Sequence, residues 1–188
     1  MSLIDMPDSL GRDIRALRKS RKLTLSELAE KLGRSVGWMS QVERDLSEPS
    51  MSEIKDLARA FDVPVQTLYG HAPARAGEEG RIVRANARRP VGHRADGLSE
   101  DLLSPDLTDD FEVVHSTFAP LARRDEPLSR PTQEVGYIIS GALDLTVGGT
   151  THRLNPGDSF RIRGEPFSWA NPNTTPCIAI WVIAPPVY

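Results

Sequence analysis

The residues best placed to do chemistry in this chain lie between positions 35 and 44, SVGWMSQVER. Ser35 can cap a helix there. Helical spacing then turns Val36, Met39 and Val42 inward and Gly37, Ser40, Gln41 and Arg44 outward. The Ser40 hydroxyl and the Gln41 amide can exchange hydrogen bonds with the edges of nucleic-acid bases, and a Val36 methyl can touch a thymine methyl. Gly37 lets the backbone come close. Residues 12–22, RDIRALRKSRK, hold six basic side chains against one acid. A lone cluster of that kind is ordinarily a solvated face. Beside residues 35–44, Arg12, Lys19 and Lys22 become candidates for phosphate contact, together with Arg44 and the helix-starting residues Thr24 and Ser50.

Those side chains need helices to carry them, and the surrounding sequence supplies the signals. Asp8 or Ser9 can cap a first helix with Leu10, Ile14 and Leu17 as its buried stripe. Thr24 with Glu27, and Ser50 with Glu53, each have the spacing of a reciprocal capping box. Leu25, Leu28, Ala29 and Leu32 form an apolar face that Gly33 ends. Ile54, Leu57, Ala58 and Phe61 give a fourth helix, and Pro64 opens a short fifth that runs through Tyr69. A helix of about seven residues, a glycine turn, and a second helix with an uncharged polar outer face is the helix-turn-helix pattern, whose second helix can enter the major groove. Trp38 can pack on the helix before it or touch the sugar-phosphate backbone, and packing is preferred.

The run LSELAEKLGRSVGWMSQVERDLSEPS resembles the DNA-binding domain of XRE-type, lambda-repressor-like bacterial regulators. The resemblance covers roughly the first 70 residues and rests on ELAEKLG, the SQVER core and the EPS ahead of another helix. It implies an all-α five-helix bundle over 1–70. It further implies that Arg18 of the first helix pairs with Glu43 at the end of the reading helix, so Arg18 is assigned to structure and not to DNA.

Residues 70–80, GHAPARAGEEG, lose all periodicity, and 71–80 reads as a linker. Beyond it the pattern changes to short strands between turn residues, expected at 81–84, 112–119, 134–140, 143–147, 151–154, 159–162, 167–170 and 177–183. Gly148-Gly149 is a hairpin signal, and strands so spaced suggest a small all-β barrel or jelly roll over 81–188, with its core at 110–185. EVGYIISGALDLTVGGTTHRLNPGDSFRI, followed by EPFSWANP, resembles the cupin β-barrel. Cupins usually hold a divalent metal through histidines and a glutamate. Here Glu134 stands at the carboxylate position, whereas the histidine positions fall at Leu128, Arg130 and Phe167. His71, His93, His115 and His152 lie elsewhere, and His115 reads as an ordinary barrel histidine. One carboxylate does not make a transition-metal site, so neither metal nor cofactor is expected. Arg130 near Glu134 can form a bidentate pair that replaces the metal structurally. Alternatively, the two recognise a zwitterionic or anionic metabolite between walls made by Phe167, Trp169 and Tyr137.

Composition sets outer bounds. The chain has 188 residues with a formal net charge of −3, so its basic stripe is local and the protein is no general polycation. Cys177 is the single cysteine. It excludes an internal disulfide framework and, within CIAIWVI, reads as a buried, inert thiol. The first ten residues lack the regions of a signal peptide, and no apolar run approaches the roughly 20 residues of a membrane span. A cytoplasmic location is expected. The sum is a non-enzymatic, sequence-specific regulator of double-stranded DNA with a small-molecule effector in its barrel. One such reading domain spans only a few base pairs, so a homodimer is expected. The alternative is an iron-dependent enzyme like the phosphonate epoxidases, whose helix-turn-helix plus cupin arrangement is similar; the missing histidines argue against it. A second rival, an antitoxin whose barrel binds a partner protein, is disfavoured by the complete SQVER core.

Overall fold

A computed structural model describes residues 10–69, 75–92 and 94–187. The expected cap at Asp8 or Ser9, much of the linker, and His71 and His93 lie outside the described residues. The chain divides into two compact units, one built of the described residues up to Val91 with Ser104–Asp109, the other of Gly92–Leu103 with Asp110–Val187.

The first unit holds five helices, α1 (Leu10–Ser20), α2 (Leu25–Lys31), α3 (Val36–Val42), α4 (Met51–Phe61) and α5 (Val65–Leu68). Both capping boxes form. Thr24 starts α2 and Ser50 starts α4, each hydroxyl accepting the N–H of the glutamate three residues on while that glutamate accepts the cap's own N–H. Gly33 turns the chain at φ 62°, and the Gly33 and Arg34 amides donate to carbonyls of α2. Asp62 ends α4 in the left-handed conformation at φ 54°. Ile14, Leu17, Leu28, Met39, Leu57 and Phe61 interlock as the core. Gly11 has no room for a side chain, because a Cβ there would collide with the Val42 carbonyl and lie 2.9 Å from Asp45 Oδ1. The Gly11 amide instead donates to that same Asp45 oxygen at 2.9 Å.

This unit extends beyond the helices. Residues 81–84, expected as a strand, leave a turn in which the Arg81 amide donates to Glu78 O, and Arg84 pairs with Glu78. A short 3-10 turn (Ala85–Ala87) and the two-residue strand β1 (Arg89–Pro90) follow. Arg89 forms a buried ion pair with Asp13 of α1, and the Leu107 amide donates to Asp13 Oδ1 at 3.1 Å. Burial pushes the Asp13 carboxyl above its ordinary range even though Arg89 opposes the shift.

The second unit carries β2 (Leu98–Leu102), β3 (Glu112–Phe118), β4 (Arg123–Leu128), β5 (Gln133–Ser140), β6 (Leu143–Val147), β7 (Thr150–Leu154), β8 (Ser159–Ile162), β9 (Phe167–Ala170) and β10 (Cys177–Ala184). They make two sheets, β2-β3-β10-β5-β8 and β4-β9-β6-β7, and not one closed barrel. Strand β10 reads CIAIWVIA, and its alternate residues Cys177, Ala179, Trp181 and Ile183 are buried, as a strand with one inward face requires. Aromatic rings bridge the sheets: Phe118 meets Trp169 edge-on at 4.8 Å, and Trp181 lies 5.8 Å from Phe167. Phe160 fills the place where a Gly136 Cβ would be and packs edge-on to Trp181 at 4.7 Å. Two strands escaped the sequence pattern. Strand β2 reads LSEDL and β4 reads RRDEPL, where charges mask the alternation. Pro127 is tolerated because β4 lies at a sheet edge, with a register shift between Arg124 and Leu128.

Candidate nucleic-acid interface and interior cavity

The helix-turn-helix side chains are held by local chemistry. Ser35 Oγ accepts the Trp38 amide at 3.1 Å and fixes the start of α3. Met39 and Val42 are buried, while Gly37 and Gln41 are exposed and Ser40 is half-buried. Val36, expected inward, is 45% exposed. At the first position of a short helix it has no preceding turn to cover it, and so it joins the outer face. Trp38 is half-buried with the Arg34 guanidinium 5.4 Å from its ring, a cation–π contact that accounts for its packing.

The far end of α3 is clamped. Arg18 donates from Nε to Glu43 Oε1 at 2.5 Å and from Nη2 to Oε2 at 2.9 Å, while its Nη1 donates to Leu23 O. Hydrogen bonding to Glu43 raises the guanidinium pKa further. Arg18 is thereby spent on structure. Among the expected phosphate contacts, Lys19, Lys22 and Arg44 are exposed and Arg12 is half-buried. Arg44 folds back, its Nε donating to Ser40 O at 3.0 Å. The Thr24 and Ser50 hydroxyls both donate to their capping glutamates at 2.8 Å, so in this conformation these residues offer a phosphate less than their spacing suggested.

The second unit contains a cavity of about 250 Å3. Its charged lining is Arg94, Glu100, Arg124 and Arg130, and its apolar walls include Leu128, Phe167, Trp169 and Trp181. Three of the five residues expected at a pocket therefore line one, Arg130, Phe167 and Trp169. Tyr137 does not. It is 49% exposed on the outer face of β5, because Glu134 points inward and a position three residues along a strand points the other way. Glu134 is buried behind the lining. Its Oε1 accepts Arg130 Nε at 3.2 Å and Thr132 Oγ1 at 2.7 Å; its Oε2 accepts Arg130 Nη2 at 3.1 Å and Trp181 Nε1 at 2.8 Å. A carboxylate with both oxygens occupied by four donors has little left for a ligand.

The same geometry answers the metal question. Leu128 and Phe167 carry no donor atom, Arg130 is a cation, and Glu134 is saturated. Among the described residues, no cluster of three or more His, Cys, Asp or Glu could hold a metal ion. The residues at the positions of the cupin metal ligands do not fit one. Sequence reasoning missed Arg94, Glu100 and Arg124, all on or beside the two charged strands it did not recognise. Arg94 Nη2 donates to both oxygens of Glu112 at 2.9 and 3.0 Å, and its Nη1 lies 3.2 Å from Glu100 Oε2. Burial, assisted by neighbouring Glu100, pushes the Glu112 carboxyl upward against the pull of Arg94.

Comparison with known proteins agrees with both halves of this description. A family model described as a helix-turn-helix domain matches residues 9–68, and one described as a cupin domain matches residues 114–183. The chain is 22% identical over 182 residues to the HTH-type transcriptional regulator PuuR of Escherichia coli (strain K12), covering 95% of this chain and 96% of that protein. It is 31% identical over 98 residues to the immunity repressor protein of Bacillus phage phi105, covering 52% of this chain and 67% of the repressor. The solved structure of KdgF from Halomonas sp. is similar at a TM-score of 0.50 and 19% identity, covering 57% of this chain and 96% of that one; the likeness is one of fold. No helix among the described residues is long and apolar enough to cross a membrane. A helix-turn-helix unit joined to a β-rich unit, with regulators as relatives along nearly its whole length, assigns the chain to the XRE-type DNA-binding transcriptional regulators that carry a C-terminal cupin domain.

Proposed function

We propose that this regulator reads a specific DNA sequence through α3 and responds to a small molecule held in the cavity of its cupin unit. The observation that carries the first part is the outer face of α3. Val36, Gly37, Ser40 and Gln41 form an uncharged surface with hydrogen-bonding groups, and exposed Lys19, Lys22 and Arg44 supply positive charge from the same unit. Uncharged polar groups suit base edges, and the cations suit phosphates. With only Ser40 and Gln41 offering polar side chains to bases, direct readout per half-site is modest and DNA shape adds to it.

Two copies are needed for useful affinity. Pairing is supported by the outer face of the larger sheet, where Val135, Tyr137 and Ile139 of β5 are all close to half exposed and lie beside Ile178, Ile180 and Val182 of β10. A surface of this kind is suited to burial against a second copy. In this reading the protein works in the cytoplasm and is not an enzyme, since the cupin positions that bind catalytic metals are filled by Leu128, Arg130 and Phe167. Effector control requires that the ligand bind free and DNA-bound protein with different affinities.

The test is selection by the full-length protein from a pool of random duplexes, combined with sedimentation of the protein alone. An enriched two-fold symmetric motif and a dimer are expected. A pool that stays random after repeated rounds removes the sequence-specific reading, and a monomer removes the pairing.

A further inference from the structure

We infer that the cavity accepts a small monocarboxylate with an apolar body, its carboxylate held by Arg124. This rests on the reading of that cavity as the effector site and names the class of effector. Three guanidiniums reach the cavity, and two are already matched. Arg130 is held bidentately by Glu134, and Arg94 serves both Glu112 and Glu100. Arg124 pairs with no carboxylate among the described residues. Its Nη1 donates to Arg94 O at 2.9 Å and its Nε to Glu126 O at 3.1 Å. A guanidinium has five N–H groups, so donors remain, in the fork that suits a carboxylate.

Position supports the same conclusion. Arg124 lies directly across from Trp169 in the β4–β9 register, and Leu128 is across from Phe167. The free cation therefore adjoins the aromatic wall formed by Trp169, Phe167 and Trp181, an arrangement that takes a negative head and an apolar body. Size narrows the class, since about 250 Å3 lies below the roughly 300–1,000 Å3 of ordinary ligand pockets. Arg124 is the one guanidinium of the three that meets only carbonyls, and a single fork takes a single carboxylate. A cationic ligand is disfavoured. Its natural partner would be Glu100 Oε2, which is buried without a hydrogen bond, but Arg94 Nη1 already stands 3.2 Å from that oxygen.

The experiment is calorimetric titration of the full-length protein with phenylacetate, phenylacetamide and phenethylamine, a matched anion, neutral amide and cation. Phenylacetate is expected to bind at least tenfold more tightly than either of the others. Arg124→Gln is expected to weaken phenylacetate roughly tenfold to a hundredfold, the worth of a charge-assisted hydrogen bond, while Arg124→Lys retains most of the binding. Unchanged circular dichroism and melting would show that the variants fold. Preference for the amine, equal binding of all three, no binding of any, or undiminished phenylacetate binding by Arg124→Gln would each overturn the inference. Repeating the DNA titration with phenylacetate present separates the two readings. Binding in the cavity with no change in DNA affinity upholds the anion site and denies it the effector role.

Discussion

Replacing Arg18 by methionine is expected to destabilise the DNA-reading unit sharply while leaving the cupin unit unchanged. Methionine keeps the aliphatic length of the side chain and removes its charge. Glu43, 7% exposed, would lose two charged hydrogen bonds, at 2.5 and 2.9 Å, and Leu23 O would lose a donor. Stranding one member of a buried pair costs about 3–5 kcal/mol. Residual exposure of Arg18, at 13% of its side chain, places the expectation toward the lower end. A unit of about 80 described residues has roughly 4–12 kcal/mol of stability in total, at ~0.05–0.15 per residue, so this loss is a large share of the whole. Urea unfolding followed by far-UV circular dichroism would report the helices, and in a Trp38→Phe background, which removes the tryptophan of α3, fluorescence of Trp169 and Trp181 would report the cupin unit. The helical transition should shift to much lower urea, with the second transition unmoved. Arg18→Met with Glu43→Leu should recover most of the loss, because a matched apolar pair replaces a broken ionic one. A single Arg18→Met variant within about 1 kcal/mol of the parent would show that the pair contributes no more than a surface ion pair.

Other consequences can be checked in the same preparations. Gly11→Ala should cost about 1–3 kcal/mol by overpacking, since its Cβ would collide with the Val42 carbonyl at the end of α3; weaker DNA binding should accompany a lower helical melting point. Cys177 is fully buried, and burial pushes its thiol up to about 11, so Ellman's reagent should leave the native protein unlabelled and react with it once urea has unfolded it. The Thr24 and Ser50 caps hold Glu27 and Glu53 below the ordinary glutamate range through hydrogen bonds to the charged carboxylates. Because folding lowers these pKa values, the capping contribution is complete above the unfolded glutamate value of about 4.3 and is lost as pH falls through the lowered folded values. An acid titration of the helical signal should therefore become flatter on its acid limb for a Glu27→Gln, Glu53→Gln variant.

The helical unit was legible because its rules are local. Thr24–Glu27, Gly33, Ser35 and Ser50–Glu53 act over three or four residues, and each does in the structure what its spacing implies. Val36 was misplaced because helical periodicity takes no account of where a helix begins. In the β unit, strands with clear alternation such as LDLTV and CIAIWVIA were readable. LSEDL and RRDEPL were not, since their charges are matched by partners outside their own strands: Glu100 meets Ser116 of β3 and Arg94 ahead of β2, and Arg124 meets the Arg94 carbonyl. Tyr137 could have been excluded in advance, by counting an odd step from Glu134. Saturation of Glu134 could not, because Trp181 is 47 residues away.

Base reading by α3 is measured by fluorescence anisotropy of the full-length protein with a selected duplex and its scrambled counterpart at one fixed salt concentration. The parent is expected to prefer the selected duplex by roughly a thousandfold or more. Gln41→Ala should lose about 1–3 kcal/mol of that preference, the worth of one good base contact, while its affinity for the scrambled duplex stays the same. Equal affinity of the parent for both duplexes, or a Gln41→Ala variant that discriminates as well as the parent, would contradict base reading by α3.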